Sequence, residues 1–283
     1  MFADFHVHTY YSDDSETPME KQVESAISLG LQEICFTDHV DYGIKRDWDD
    51  PLGVNYRNGG PGEPKRIPLA NVNYPLYFKE IEELKNKYAD KITIRAGLEF
   101  GIQADTIPQY ELLYAKYNDK LEFVLLSVHQ VCNQELWTQD FQHGKTQKEY
   151  NRMYYHEILN VIQQYKNYDV LAHLDLITRY DNNGIYPFDM VKDIVEEILK
   201  IVIADGKGIE LNTSSWRYGL ADTQPSRDIL KLYKKLGGKY ITLGSDSHTP
   251  DYIASHFRDA ENILKNEIGI SEWSIAPKVA QYF

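Results

Sequence analysis

The chain alternates short apolar runs with longer amphipathic stretches over most of its length. In the longer stretches apolar residues recur at three- and four-residue spacing, as in Ile194, Ile198 and Val202, which is typical of helices with one buried face. The short runs have the length of buried strands. We predict seven strands, at Phe2–Val7, Glu33–Thr37, Ile92–Leu98, Phe123–Val128, Val170–Ala172, Gly208–Asn212 and Tyr240–Gly244. We predict helices at Pro18–Leu29, Pro75–Tyr88, Lys148–Tyr165, Phe188–Ala204 and Ser226–Leu236.

This alternation predicts an α/β fold in which helices surround a parallel sheet. Seven units favour a closed barrel over an open sheet, and in such barrels the active site is built at the C-terminal strand ends. No G-x-G-x-x-G or G-x-x-x-x-G-K-[ST] follows the first strand, which removes the usual signature of nucleotide-binding open sheets. We expect one domain over residues 1–283. Residues 41–73 carry Pro, Gly and charge without periodicity, so we expect a lid or a disordered insertion there.

Histidine and carboxylate side chains gather where the predicted strands end. His6 and His8 are two residues apart, and the strand period of two places both side chains on one face. Asp246 and His248 repeat this spacing after the seventh strand. Because the carboxyl ends of barrel strands form one rim, these side chains should meet. The other candidates at this rim are Asp14, His39, Glu99, His129 and His173.

Imidazole and carboxylate donors without thiolate suit zinc, iron or manganese in a hydrolytic site. A single histidine at a strand end is more often a hydrogen-bonded core residue, but six in this arrangement favour metal binding. Nine candidate ligands exceed the needs of one ion, which indicates two or three adjacent metals sharing a carboxylate. The remaining histidines, which we expect on the surface, are His143, His156 and His256.

Other charged residues near the rim have less certain roles. Asp13 and Asp38 are candidates to orient ligating histidines, although Asp13 could instead be merely solvated. Arg179 and Arg217 follow the fifth and sixth strands, and two guanidinium groups beside metals suit a phosphoryl group. Surface ion pairs or aromatic stacking are the alternative for both arginines. For the catalytic steps we consider Arg179, Arg217, Asp246 and His39.

The net charge, the lengths of the apolar runs and the cysteine count limit the binding partners and the cellular compartment that we expect. The net charge of -13 argues against nucleic acid and against an anionic membrane surface. We see no signal peptide and no apolar run long enough to span a membrane, so we expect a cytoplasmic protein. The two cysteines, Cys35 and Cys132, cannot form a disulfide scaffold, and we expect core thiols in a reducing compartment.

The motifs D-F-H-V-H-T at Asp4–Thr9, F-T-D-H at Phe36–His39, A-H-L-D at Ala172–Asp175 and G-S-D-S-H at Gly244–His248 resemble the polymerase and histidinol phosphatase (PHP) superfamily. The resemblance covers essentially the whole chain. G-I-E-L-N-T-S at Gly208–Ser214 and W-R-Y-G at Trp216–Gly219 resemble its stand-alone histidinol-phosphatase branch.

The resemblance implies a distorted (β/α)7 barrel with a trinuclear centre of divalent Zn, Mn or Fe. One metal would take His6, His8, Glu99 and Asp246, a second Glu99, His129 and His173, and a third Asp14, His39 and His248. Many relatives carry histidine where this chain has Asp14. The implied reaction is hydrolysis of L-histidinol phosphate, a small phosphate ester, with Arg179 and Arg217 holding the phosphoryl oxygens. Alternatives are another small phosphate ester, a non-catalytic metal-binding barrel, and a 3′-exonuclease, which the charge disfavours.

Overall fold

A computed structural model describes residues 2–58 and 66–270. Seven parallel strands form its central sheet and pair in the order in which they occur along the chain. We number them β1 to β7: Ala3–Val7, Glu33–Phe36, Thr93–Gly101, Phe123–Ser127, Val170–Leu171, Gly208–Asn212 and Ile241–Gly244. A short strand at His39–Val40 also pairs with β3. All seven predicted strands are present, and their ends differ from the prediction by at most a few residues.

The sheet curls into a nearly closed barrel. Val7, at the end of β1, forms a parallel bridge with Ser247, just beyond β7. The His8 N–H donates to the Ser247 carbonyl at 2.8 Å, and the Ser247 N–H donates to the His6 carbonyl at 3.3 Å. The first and last strands therefore meet at the rim that carries the candidate ligands. This arrangement confirms the predicted α/β barrel.

Six main helices accompany the strands. We number them α1 to α6: Met19–Ser28, Tyr74–Lys87, Ile107–Tyr117, Gln147–Gln164, Lys192–Ala204 and Arg227–Lys235. Shorter helical segments lie at Ala104–Thr106, Leu176–Tyr180, Phe188–Met190, Ser214–Arg217, Pro250–Tyr252, Phe257–Asn262 and Ile263–Ile268. Thr146 and Glu149 cap α4 reciprocally through their side chains and backbone N–H groups.

The helices of the structure differ from the prediction in two places. The helix expected at Phe188–Ala204 is interrupted, because Val191 has a φ of −126° and separates a 3₁₀ turn from α5. The sequence reading missed α3, whose buried side chains are Tyr110, Leu113 and Tyr117. Two of these three residues are tyrosines, so the apolar periodicity of α3 is weak.

A small apolar cluster supports the rim from below. Alternation along β4 places Phe123 and Leu125 on the same face as Ser127, whose hydroxyl donates to Glu99 at 2.6 Å. The rings of Phe5 and Phe123 meet edge to face, 5.1 Å apart. The other members of this buried cluster are Cys35, Val170 and Ala172. The cluster lies inside the barrel, beneath the candidate ligands.

The long segment of residues 41–73 contains regular structure. Its strands Asn55–Asn58 and Arg66–Leu69 pair in an antiparallel hairpin. The run from Gly59 to Pro64, part of the predicted lid or disordered insertion, lies outside the described residues. A second hairpin pairs Gln130–Val131 with Gln134–Glu135.

Three further expectations concern the surface and the whole chain. The expectation that both thiols lie in the core is wrong for Cys132, which lies exposed in the second hairpin, between its two strands. None of the helices in the described ranges is both long enough and apolar enough to cross a lipid bilayer. That residues 1–283 form one domain stays a prediction.

Candidate metal centre

Glu99, near the end of β3, lies at the centre of the candidate site and is fully buried. Its Oε2 atom is 3.2 Å from Nε2 of His6 and 3.0 Å from Nδ1 of His39. Its Oε1 atom is 2.9 Å from Nε2 of His173 and 3.2 Å from Nε2 of His129. One carboxylate thus faces imidazoles from four different strand ends, as a bridging ligand would.

The remaining predicted ligands complete the cluster. Oδ1 of Asp246 lies 3.7 Å from Nε2 of His6 and 3.5 Å from Nε2 of His8. Oδ2 of Asp14 lies 3.0 Å from Nε2 of His248 and 3.5 Å from Nε2 of His39. The structure therefore brings all nine predicted side chains together at one end of the barrel. His143, His156 and His256 are exposed, as expected.

Several nitrogen and oxygen atoms that could bind a metal at the centre have no well-directed hydrogen bond within the described part of the chain. They are Nε2 of His6, Nε2 of His8, Nδ1 of His39 and Oε2 of Glu99, all buried. Burying a polar atom without a partner is costly, and native proteins rarely do so without a reason. Lone pairs of imidazole and carboxylate that converge in this way fit divalent cations such as zinc.

Five sets of converging ligand atoms among the described residues could each hold an ion. In each set the ligand atoms lie within 4.8 Å of one another. The sets are His6, His8 and Glu99; Glu99, His129 and His173; His8, His39 and His248; His6, His173 and Glu210; and His39, Asp41 and His129. The first contains three of the four ligands predicted for one ion and the second all three predicted for another, and the assignment of ligands to individual ions stays a prediction. In the third, His8 stands where Asp14 was expected, although Asp14 also contacts His39 and His248.

His8 and Glu99 have protonation states that suit metal binding. For His6, His39 and His129 burial alone would lower the pKa, but the neighbouring carboxylates raise it, so a cation must displace a proton there. Burial lowers the pKa of His8, and the neighbouring rings of His248 and His39 lower it further, so this imidazole stays neutral and keeps a lone pair. Burial alone would raise the pKa of Glu99, but His6, His129 and His39 outweigh it and hold that pKa well below its usual range. Glu99 is therefore ionised and available to a cation.

Two carboxylates that the sequence analysis did not identify contact the Nδ1 atoms of predicted ligand histidines, on the side of the ring away from Glu99. Nδ1 of His6 lies 2.6 Å from Oε1 of Glu210, and Nδ1 of His129 lies 2.8 Å from Oδ1 of Asp41. Such carboxylate–histidine pairs orient a ligating ring and fix which nitrogen carries the proton. The signal for Glu210 was present, since an acidic residue interrupts the otherwise apolar start of G-I-E-L-N.

The two predicted arginines occupy different positions. Arg179 donates to Ser214 Oγ at 2.5 Å and to Gln224 Oε1 at 2.9 Å, and one amino group is 3.4 Å from Asp246 Oδ2. Its guanidinium lies 4.1 Å from the ring centroid of Tyr218. Arg179 also lines the cavity above the ligands.

Arg217 instead donates to backbone carbonyls, at 2.8 Å to Asp246 and 3.3 Å to Ser245. Asp246 has a φ of 53°, which is uncommon for a residue other than glycine. Arg217 therefore supports the strained turn that carries the Asp246 carboxylate. The predicted contact between Arg217 and phosphate stays a prediction.

A cavity of about 440 Å³ opens above the ligands. Glu135, Trp137 and Tyr180 contribute to its wall together with Arg179. Burial raises the pKa of Glu135. The cavity is thus lined by metal-type donors, a guanidinium group, a carboxylate and aromatic rings.

Comparison with known proteins agrees with this geometry. Residues 4–214 match the model of the PHP domain. The chain belongs to the PHP domain family. A histidinol-phosphatase from Lactococcus lactis is 35% identical over 261 residues, which cover 89% of this chain and 87% of that protein. A histidinol-phosphatase from Bacillus subtilis is 24% identical, covering 87% of this chain and 92% of that one.

A solved structure of a PHP-type enzyme shows the same fold. The crystal structure of histidinol phosphate phosphatase from Lactococcus lactis, in complex with zinc, L-histidinol and phosphate, matches with a TM-score of 0.74 and 31% identity. The match covers 98% of this chain and 97% of the other. The predicted resemblance to PHP histidinol-phosphatases is confirmed.

Proposed function

We propose that this PHP protein is a metal-dependent phosphomonoesterase that hydrolyses L-histidinol phosphate to L-histidinol and phosphate. The observation that carries the proposal is the complete donor set around Glu99, with Arg179 beside it at the floor of a cavity. A metal-binding barrel without activity would not need a guanidinium group held next to the metal ligands. The lactococcal histidinol-phosphatase sequence and the lactococcal crystal structure described above support the same substrate.

The metal ligands in this proposal are His6, His8, Asp14, His39, Glu99, His129, His173, Asp246 and His248. We propose three divalent ions, with zinc, manganese or iron as candidates. When bound, such ions lower the pKa of water to near neutrality and polarise phosphoryl oxygens. Glu99 would be shared between two of the sites, since each of its oxygens faces a different pair of imidazoles.

The phosphoryl group is held by Arg179 in this proposal. Ser214 and Gln224 fix its guanidinium plane, and stacking on Tyr218 limits its rotation. A guanidinium held in this way presents its remaining N–H groups to phosphoryl oxygens and stabilises the charge that develops on them. That Asp246 or His39 passes a proton to the leaving alkoxide stays a prediction: both line the cavity, but although burial would raise the pKa of Asp246, His6 and His8 hold it well below its usual range.

The amine and imidazole of the substrate fit the outer part of the cavity. Glu135 offers a carboxylate to a cationic group, and the ring of Trp137 offers an aromatic face. This combination favours a cationic phosphate ester over a sugar phosphate. The net charge of -13 does not exclude an anionic substrate group, because bound ions together with Arg179 would make the floor of the site locally positive.

The test is a substrate panel with metal-loaded protein. Phosphate release should be far faster from L-histidinol phosphate than from p-nitrophenyl phosphate, a sugar phosphate or a nucleotide. Equal rates on p-nitrophenyl phosphate and L-histidinol phosphate would refute the substrate assignment. Undiminished release after exhaustive chelation would refute metal dependence.

A further inference from the structure

Lys45 lies between two carboxylates from separate parts of the chain. Its Nζ atom is 2.6 Å from Asp13 Oδ1 and 2.9 Å from Asp41 Oδ2. The three side chains are only 9%, 7% and 6% exposed, respectively. The backbone N–H of Lys45 donates to the backbone carbonyl of Asp41 at 2.8 Å. This tight turn places the side chains of Lys45 and Asp41 next to each other. The Lys45 ammonium therefore forms buried ion pairs with these carboxylates, not a solvated pair on the surface.

Asp41 connects Lys45 to the metal centre. While one carboxylate oxygen accepts from Lys45, the other lies 2.8 Å from Nδ1 of His129. The opposite ring nitrogen, Nε2, faces Glu99 at 3.2 Å. An ionised carboxylate at Nδ1 keeps the proton there and leaves the lone pair of Nε2 for a cation.

Gly101 makes this contact possible. A Cβ atom at Gly101 would lie 1.9 Å from Asp41 Oδ1 and 2.8 Å from His129 Nδ1. The pair therefore crosses β3 at a place where no larger residue fits. Lys45 places a positive charge 2.9 Å from this buried carboxylate, on the side opposite His129.

The second carboxylate leads to another part of the centre. Asp13 is the neighbour of Asp14, whose Oδ2 lies 3.0 Å from Nε2 of His248. Through Asp13, Lys45 holds the loop that presents Asp14. The same ammonium thus contacts two carboxylates, one hydrogen-bonded to His129 and one adjacent in sequence to Asp14.

We propose that Lys45 is a positioning residue of the metal centre, which fixes Asp41 and Asp13 and, through them, His129 and Asp14. Two of its three N–H donors point to carboxylates, so its charge is compensated within the protein. Lys45 also borders the cavity, and a direct contact with phosphate is the competing interpretation. The proposal rests on the metal assignment of the proposed function and does not depend on the identity of the substrate.

The experiment measures metal retention. Zinc-loaded wild type, Lys45→Met and Asp41→Asn are challenged with increasing chelator, and the zinc left per chain is counted by mass spectrometry. Mutation of a residue that orients a metal ligand typically lowers metal affinity by about 10- to 100-fold. Asp41→Asn removes such a residue and Lys45→Met removes its fixed position, so both variants should lose zinc at a roughly 10- to 100-fold lower chelator concentration. Lys21→Met is the matched control, because Lys21 forms an exposed pair with Glu24. It should retain zinc like the wild type.

The double variant Lys45→Met/Asp41→Asn separates positioning from general stability. It leaves only Asp13 without its ammonium, whereas Lys45→Met leaves both carboxylates without it, so its melting temperature without metal should lie above that of Lys45→Met, while its zinc retention should stay low. Recovery of zinc retention along with stability would overturn the proposal, as would normal retention in both single variants. Normal zinc content with a raised inhibition constant for inorganic phosphate in Lys45→Met would assign Lys45 to phosphate instead. Since zinc retention needs no substrate, a failed substrate assignment leaves this test intact.

Discussion

The ring of His6 is held from both sides: Nδ1 lies 2.6 Å from Oε1 of Glu210, and Nε2 lies 3.2 Å from Oε2 of Glu99. Both His6 and Glu210 are buried. Oε2 of Glu210 also accepts the backbone N–H of His173 at 2.9 Å. One outer carboxylate therefore sets the orientation of His6 and the backbone position of His173.

Replacing Glu210 by Gln should weaken metal binding by about 10- to 100-fold, because the amide cannot hold the Nδ1 proton of His6 as a carboxylate does. Zinc counts after a fixed chelator challenge measure the effect. Glu196→Gln serves as the control, since Glu196 pairs with Lys200 on an outer helix face. Zinc retention by Glu210→Gln equal to that of the control would show that the contact is structural only.

Replacing Gly244 by Ala should disrupt the same contact from the backbone. The added Cβ would lie 2.0 Å from Glu210 Oε1 and 2.5 Å from His6 Cβ. Overpacking of this kind costs about 1–3 kcal/mol of unfolding free energy, and the displaced ring should also lose zinc. Gly208→Ala is the control, because its Cβ would meet Tyr240 and Val170 away from the ligands. We expect Gly208→Ala to lower the melting temperature without lowering zinc content.

Arg179→Met should lower kcat on L-histidinol phosphate by about 100-fold or more, because an electrostatic donor to the developing charge is lost. Zinc content should stay normal. The control is Arg152→Met, since Arg152 pairs with the exposed Asp193. If Arg179→Met instead loses zinc, the main task of Arg179 is to hold Asp246.

Removal of metal should lower the melting temperature, because carboxylates and imidazoles converge on Glu99 without ions to offset their burial. Zinc added at about 100 times its Kd should restore roughly 2.7 kcal/mol of unfolding free energy per site. Calorimetry of the chelated and zinc-loaded protein provides the comparison. Identical melting curves would contradict the presence of a metal site in the folded protein.

The two thiols should differ in reactivity. Burial raises the pKa of Cys35 far above its usual value, whereas Cys132 is exposed. A chromogenic disulfide reagent should titrate one thiol per native chain and two after denaturation. Cys132→Ser should abolish the native reaction, and a remaining fast thiol would mean that the barrel interior is open to solvent.

The ligand set could be predicted because it depends on local rules. Strand ends of a parallel barrel converge, and a period of two puts His6 and His8 on one face, so the positions of the donors follow from the strand pattern. The supports of the ligands do not follow in this way. His6 and Glu210 are 204 residues apart, and His129 and Asp41 are 88 residues apart, so only the folded barrel reveals these pairs.

Other differences have equally physical causes. Lys45 lies in a segment without periodicity, so nothing in its neighbours indicated burial. Arg217 follows β6 at the spacing expected of a rim residue, but its guanidinium binds the backbone of Ser245 and Asp246. A sequence pattern places a side chain at the rim and does not say whether it turns toward the cavity or toward the main chain.

The contact between His8 and Ser247 that closes the barrel has a consequence for biosynthesis. Donors that precede α1 share one cluster with donors that follow β7. A growing chain on the ribosome therefore lacks the complete donor set until His248 has been synthesised and has emerged. Prematurely terminated products that keep the first six strands would lack Asp246 and His248, so they should compete poorly for cellular metal. The full metal centre therefore forms only after the last strand has been synthesised.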